Sequence, residues 1–208
     1  MSATVTSLEF KPPEVPEDNA RAGYYALLAR LFYSSPDAAL LETIAGADEI
    51  ASGAEQSALA DAWNKLAAAA RAMDAEAARL EYDEIFVGTG KAEVTLYATY
   101  YLAEAGREKI LVRLRDELAE LGLARSEAAR EPEDHFAGLL DVMRHLILLG
   151  SDDAALQNQA AFFGRYLAPA CPRFCRAISE NAKANFYKHV AHFASAFFTV
   201  ETEAMKVF

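Results

Sequence analysis

Residues 131–150 read EPEDHFAGLLDVMRHLILLG, and this stretch sets the fold class. Leu139, Leu140, Met143 and Leu146 recur at spacings of three and four, the period of a helix with one buried face. Pro132 stands where a first helical residue lacks an N–H partner anyway. Glu131, Glu133 and Asp134 crowd the same end, where negative charge complements the helix dipole. Gly150 closes the run. The spacing predicts a helix over 132–149 with Glu131 as its cap.

The flanking sequence repeats the pattern. Ile110, Leu111, Leu114, Leu118 and Leu121 line one face of a helix over 107–121, with Gly122 as its C-terminal stop. Phe186, Val190, Phe193 and Phe197 form a core stripe on a last helix over 184–206. Tyr24, Leu27, Leu28, Leu31 and Phe32 mark a helix over 19–33, and Ser35-Pro36-Asp37 opens a short one ending near Gly46. An alanine-rich helix over 58–73 carries Trp63 and Leu66, and the helical pattern over 75–86 stops at Val87-Gly88. Ser151-Asp152-Asp153 caps a helix carrying Leu156, Phe162, Phe163 and Leu167. Pro169 and Pro172 read as brackets of a turn into a further helix. Residues 91–106 fit either a buried short helix or an irregular packed segment. Strand alternation and hairpin turns are missing. The expectation is an all-α fold, a single helical domain of about eight to ten helices over 18–208. An irregular arm over 1–17 precedes it, Gly53 lies in a connector, and the polar stretch 123–131 leaves room for a hinge between two subdomains.

Composition narrows the function. The chain has 208 residues, 53% of them hydrophobic, and a formal net charge of -11. That charge argues against a nucleic-acid binder, which needs a basic face, and favours basic partners. No apolar run reaches the length of a membrane span. Met1 to Phe10 shows no secretory signal, so a cytoplasmic location is expected. Cys171 and Cys175 form no disulfide framework and lack zinc spacing. His189 and His192 read as structural, and neither belongs to a Glu-x-x-His motif. The pattern Gly88-Thr89-Gly90-Lys91 falls short of a phosphate loop, which needs four residues between its glycines. No cofactor, metal or catalytic residue is expected.

Two segments carry the functional signal. In Glu81-Tyr82-Asp83-Glu84-Ile85-Phe86-Val87-Gly88-Thr89-Gly90 a helical pattern runs into a glycine-bracketed turn. Tyr82, Ile85 and Phe86 fall at i, i+3 and i+4, so core packing is one reading and an apolar binding surface the other. In the second segment Glu131 and His135 are four apart and would share a helix face. Carboxylates there could take a guanidinium in a forked, bidentate way, or could serve capping alone.

These residues resemble a family. Tyr82-x-x-Ile85-Phe86-x-Gly88-x-Gly90 is similar to the first motif of the TorD/DmsD/NarJ-type chaperones, although Thr89 stands where proline is usual. Glu131-x-x-Asp134-His135, running into an apolar helix, is similar to their second motif. The tyrosines Tyr97, Tyr100 and Tyr101, in place of a proline- and serine-rich stretch, resemble the branch associated with formate dehydrogenases. The resemblance implies a cytoplasmic, non-catalytic chaperone. It would bind the twin-arginine signal peptide of a molybdenum-cofactor oxidoreductase, of formate dehydrogenase or DMSO/TMAO reductase type, and assist maturation before export. Its peptide-binding residues would be Tyr82, Ile85, Phe86, Gly88, Gly90, Glu131, Asp134 and His135. Two other readings stay open. One is a metal-dependent all-α phosphohydrolase drawing on Glu81, Asp83 and Glu84 with Glu131, Asp134 and His135. The other is an oligomeric helical adaptor whose motifs serve only packing. The 123–130 stretch leaves room for the chain to be either a monomer or a helix-swapped dimer.

Overall fold

Alanine- and leucine-rich stretches dictate where the helices form, and the computed structural model describes residues 16–50, 57–125 and 130–207. The helices are α1 (Pro16–Tyr33), α2 (Ala38–Ala45), α3 (Ala58–Ala72), α4 (Ala75–Tyr82), α5 (Thr99–Leu102), α6 (Arg107–Glu120), α7 (Phe136–Leu149), α8 (Asp153–Phe162), α9 (Ala168–Ser179) and α10 (Phe186–Ala204). The fold is all-α, and among the described residues the only β feature is an isolated antiparallel bridge between Tyr97 and His135. Asp37, Asp74 and Asp152 cap α2, α4 and α8 by accepting backbone N–H bonds at 2.8, 2.9 and 2.8 Å, the expected N-cap chemistry. Gly122 and Leu123 donate back to Ala119 and Leu118 at 3.0 and 2.8 Å, closing α6 where the sequence places its stop.

The predicted apolar faces build the core. Phe186, Val190, Phe193 and Phe197 of α10 are all buried, as are Leu139, Leu140, Met143 and Leu146 of α7. Burying each such side chain contributes about 1.5–3 kcal/mol. Helix α1 lies along α7, and α10 packs on α3 and α9. Phe136 stacks on Phe174 at 3.9 Å between ring centroids, which joins α7 to α9. One buried hydrophobic cluster runs from Ala22 to Phe198.

Two buried carboxylates lock helices together. Glu81 at the end of α4 accepts from the backbone N–H groups of Asn185, Phe186 and Tyr187 at 2.9, 3.0 and 2.7 Å. These are the orphan donors at the start of α10. Glu201 of α10 is 1% exposed and takes bonds from the Arg21 guanidinium at 2.8 and 3.0 Å and from the Tyr25 hydroxyl at 2.9 Å, both on α1.

Several predicted boundaries shift. Helix α1 starts at Pro16 rather than Asn19, and α10 starts at Phe186 rather than Ala184. The helix expected over 75–86 loosens after Tyr82 into a π turn, Asp83–Val87. Pro169 and Pro172 lie inside α9, which the chain enters directly from a second π turn, Phe163–Leu167. Burial of Leu167, Ala170, Cys171 and Phe174 holds this segment helical against the two prolines. The open reading of 91–106 resolves into an irregular strap followed by the single turn α5. The expected arm lies outside the described residues apart from its last two, which begin α1; Gly53 and the centre of the 123–131 stretch also lie outside them.

Candidate functional site

The first motif ends in a turn that only glycine can make. Gly88 has φ 64 and ψ 167, and a Cβ there would stand 2.3 Å from the carbonyl oxygen of Lys91. This backbone region is essentially closed to other residues. The Gly88 N–H donates to Asp83 at 2.7 Å and closes the π turn. Gly90 follows in the same reversal at φ 102. The chain then turns back so that the N–H groups of Glu93 and Val94 both donate to the Ile85 carbonyl, at 3.1 and 3.0 Å.

From Ile85 the strap runs directly to the second motif. Phe136 N–H donates to Leu96 at 2.9 Å, and Ala98 N–H donates to the Asp134 carbonyl at 2.8 Å. The Thr99 hydroxyl donates to the Asp134 carboxylate at 2.6 Å. The two motifs, whose facing ends Gly90 and Glu131 are 41 positions apart in sequence, are therefore joined by one short run of backbone.

This pairing explains a correction to the sequence reading. Helix α7 opens at Phe136, not Pro132, and its cap is His135, not Glu131. His135 is held extended (φ -63, ψ 132) by the bridge to Tyr97, so helical geometry cannot begin earlier. Its ring Nδ1 accepts from Ala137 N–H at 3.2 Å, which places the neutral ring's proton on Nε2. Burial holds the His135 pKa below its ordinary value against the opposing pull of Glu131 and Asp134.

A cavity of about 670 Å³ opens beside this junction, along the face between α1 and α7. Ala26 and Ala29 of α1 and Ala137 and Gly138 of α7 keep its walls low, and Leu118, Leu123 and Val142 add apolar surface. Tyr33, Glu131, Glu133 and His135 stand at one end, and Asp141, Arg144 and His145 lie further along α7. Charge at the rim is mixed. Arg30 donates to the Ser34 hydroxyl and reaches Asp37 at 3.4 Å. Glu133 accepts from Arg115 at 3.0 Å and lies 3.7 Å from Arg125. The Glu131 carboxylate instead accepts from the Tyr97 hydroxyl at 2.7 Å. That bond, with burial and the carboxylate charge, pushes Tyr97 up to about 12.

The predicted residues thus divide. Glu131 and His135 line the cavity. Asp134 is 5% exposed and engaged with Thr99 beneath it. Tyr82, Ile85 and Phe86 are buried. The Tyr82 hydroxyl donates to the Phe32 and Tyr33 carbonyls, both at 3.1 Å, and so fixes the end of α1 that borders the cavity. Gly88 and Gly90 shape the turn that launches the strap. Sequence reasoning missed Tyr33, Arg30 and Arg125. Tyr33 carries one usable signal, a large aromatic at the last position of an apolar helix.

Both motifs and the strap fall within residues 52–176, which match the family described as the nitrate reductase delta subunit. The chain belongs to this family. Over 152 residues it is 28% identical to the chaperone protein TorD of Vibrio parahaemolyticus, covering 67% of this chain and 68% of that one. Over 164 residues it is 28% identical to the chaperone protein TorD of Vibrio cholerae, covering 73% and 71%. Its fold is similar to the crystal structure of an Archaeoglobus fulgidus protein assigned to redox enzyme maturation. The TM-score there is 0.51 at 18% identity, covering 94% of this chain and 98% of that one. As a TorD-like chaperone of redox-enzyme maturation the chain is a binding protein and not a catalyst.

Three acidic side chains of the two motifs are engaged within the fold. Glu81 caps α10, Asp83 pairs with Arg79 at 2.6 Å, and Asp134 holds Thr99. Among the described residues no group of three or more His, Cys, Asp or Glu side chains is placed to hold a metal ion. No helix among them is long and apolar enough to cross a membrane.

Proposed function

We propose that this TorD-like chaperone binds the twin-arginine signal peptide of a molybdenum-cofactor oxidoreductase in the cytoplasm, and holds it until maturation is complete. The observation that carries this reading is the cavity between α1 and α7, with apolar walls and with Glu131 and His135 at one end. A leader of this kind offers two guanidinium groups followed by an apolar segment. Exposed ion pairs contribute about 0.2–1 kcal/mol each. Covering roughly 400 Å² of apolar leader contributes about 10 kcal/mol gross, from which ordering of the peptide subtracts a large part. The apolar groove therefore supplies most of the affinity, while charge sets register.

In this reading the first motif is the frame and the second the contact. Tyr82, Ile85, Phe86, Gly88 and Gly90 act by holding the end of α1 and the strap, and Asp134 acts through Thr99. Glu131 and His135 face the peptide. Titration with synthetic leader peptides tests the division of labour. Replacing the apolar stretch by serine and glycine should abolish measurable binding, whereas changing the arginine pair to alanine should weaken it about tenfold or less. Equal affinity for the intact leader and the one lacking its apolar stretch would reject the groove as the binding site.

A further inference from the structure

Beside the Glu131 and His135 end of the cavity stands a feature that the two motifs do not describe. Tyr33 at the end of α1 and Tyr97 in the strap are large aromatic side chains left 54% and 37% exposed. Both pack edge-on against the same His135 ring, with centroids at 6.4 and 5.6 Å and interplanar angles of 77° and 78°. Neither packs on the other. Beside them the Glu131 carboxylate is oriented by the Tyr97 hydroxyl at 2.7 Å, and among the described residues no cation reaches salt-bridge distance of it. The rim arginines are directed elsewhere. Arg30 turns to Ser34 and Asp37, and Arg125 to the Glu131 backbone carbonyl and to Glu133.

We propose that Tyr33, Tyr97 and Glu131 form a slot for one arginine side chain of the bound leader, and that this slot sets the direction in which the leader lies. The inference rests on the leader-binding reading above. An aromatic face attracts a cation, and a planar guanidinium can stack on a ring while donating to a carboxylate. An ammonium satisfies the carboxylate but gains less from the rings, so the slot distinguishes arginine from lysine. His135, buried beneath, gives the two rings a fixed support. The slot stands where α1 ends and α7 begins. From His135 to His145 the groove follows about 15 Å of helix, room for four or five extended residues. A leader with its arginine between the tyrosines lays its apolar segment along α7 towards His145.

Fluorescence polarisation with two labelled synthetic peptides tests this. One carries an Arg-Arg pair ahead of an apolar stretch, and the other carries Lys-Lys in its place. The wild-type chain should prefer the arginine peptide about fivefold. In Tyr33→Leu and Tyr97→Leu that preference should fall to twofold or less while lysine-peptide affinity is kept. Tyr97→Phe retains the ring and should retain most of the preference. Circular dichroism checks that each variant is folded. Variants that keep the wild-type preference would overturn the slot and leave the groove reading standing. So would parallel loss of both peptides in the folded leucine variants, since the rings would then be plain apolar wall. A wild-type chain that binds neither peptide would overturn both readings.

Discussion

His135 has two duties that depend on one protonation state. Its Nδ1 caps α7, and its ring supports Tyr33 and Tyr97. A proton on Nδ1 would remove the acceptor and place a positive charge at a helix N-terminus, where it is disfavoured. The folded-state pKa lies below the ordinary 6.5 because burial outweighs the pull of Glu131 and Asp134. The unfolded chain therefore takes up this proton first as pH falls. The associated stability is complete above about 6.5 and is lost as pH drops through the folded value. Asparagine can replace the cap without titrating. Urea denaturation of wild type and His135→Asn across this acid range should give a stability difference that shrinks on acidification. A difference constant with pH would show that His135 binds its proton equally well in the folded and unfolded chain, so that the fold does not lower its pKa. Residue-scale roles were only partly legible in sequence. Glu131 and His135 could be recognised as motif residues, yet nothing local showed that Asp134 turns inward to Thr99, because its partner lies 35 positions away in an irregular strap.

At the scale of elements, the helices legible in sequence were those with a long apolar period. The α10 stripe and the apolar face of α7 follow from residues three and four apart, and the α6 stop follows from Gly122. The first π turn and the late start of α7 did not follow, because both segments pair through their backbone with the strap. The acidic run that opens the first motif also hid a structural part. Glu81 receives three N–H bonds from the start of α10 and is buried while doing so. Removing the carboxylate strands these donors and takes negative charge from a helix N-terminus. Glu81→Ala should lower unfolding stability by about 3 kcal/mol, measured by urea denaturation. The same substitution at the neighbouring exposed Glu84 should change it by less than about 0.5 kcal/mol. Equal effects would mean that α10 does not depend on this cap.

Across the whole molecule, the first motif, the strap and the second motif form one connected frame around the end of α1, and the cavity opens beside it. The proximity of the motifs was legible as a family resemblance, and the cavity itself was not, because its low walls are alanines and a glycine that read as ordinary helix. Gly138 offers the most direct test of this account. It is exposed to the cavity from the first turn and a half of α7, and a Cβ there would meet only the Glu133 carbonyl oxygen, at an ordinary 3.7 Å. Replacing an interior helical glycine raises helix propensity by up to about 1 kcal/mol, so Gly138→Leu should fold with undiminished stability while its side chain fills the groove. Isothermal titration of wild type and Gly138→Leu with a twin-arginine leader peptide decides the matter. Loss of binding in a variant whose melting temperature is preserved is the predicted result, and unchanged affinity in that variant would contradict the claim that the leader lies between α1 and α7.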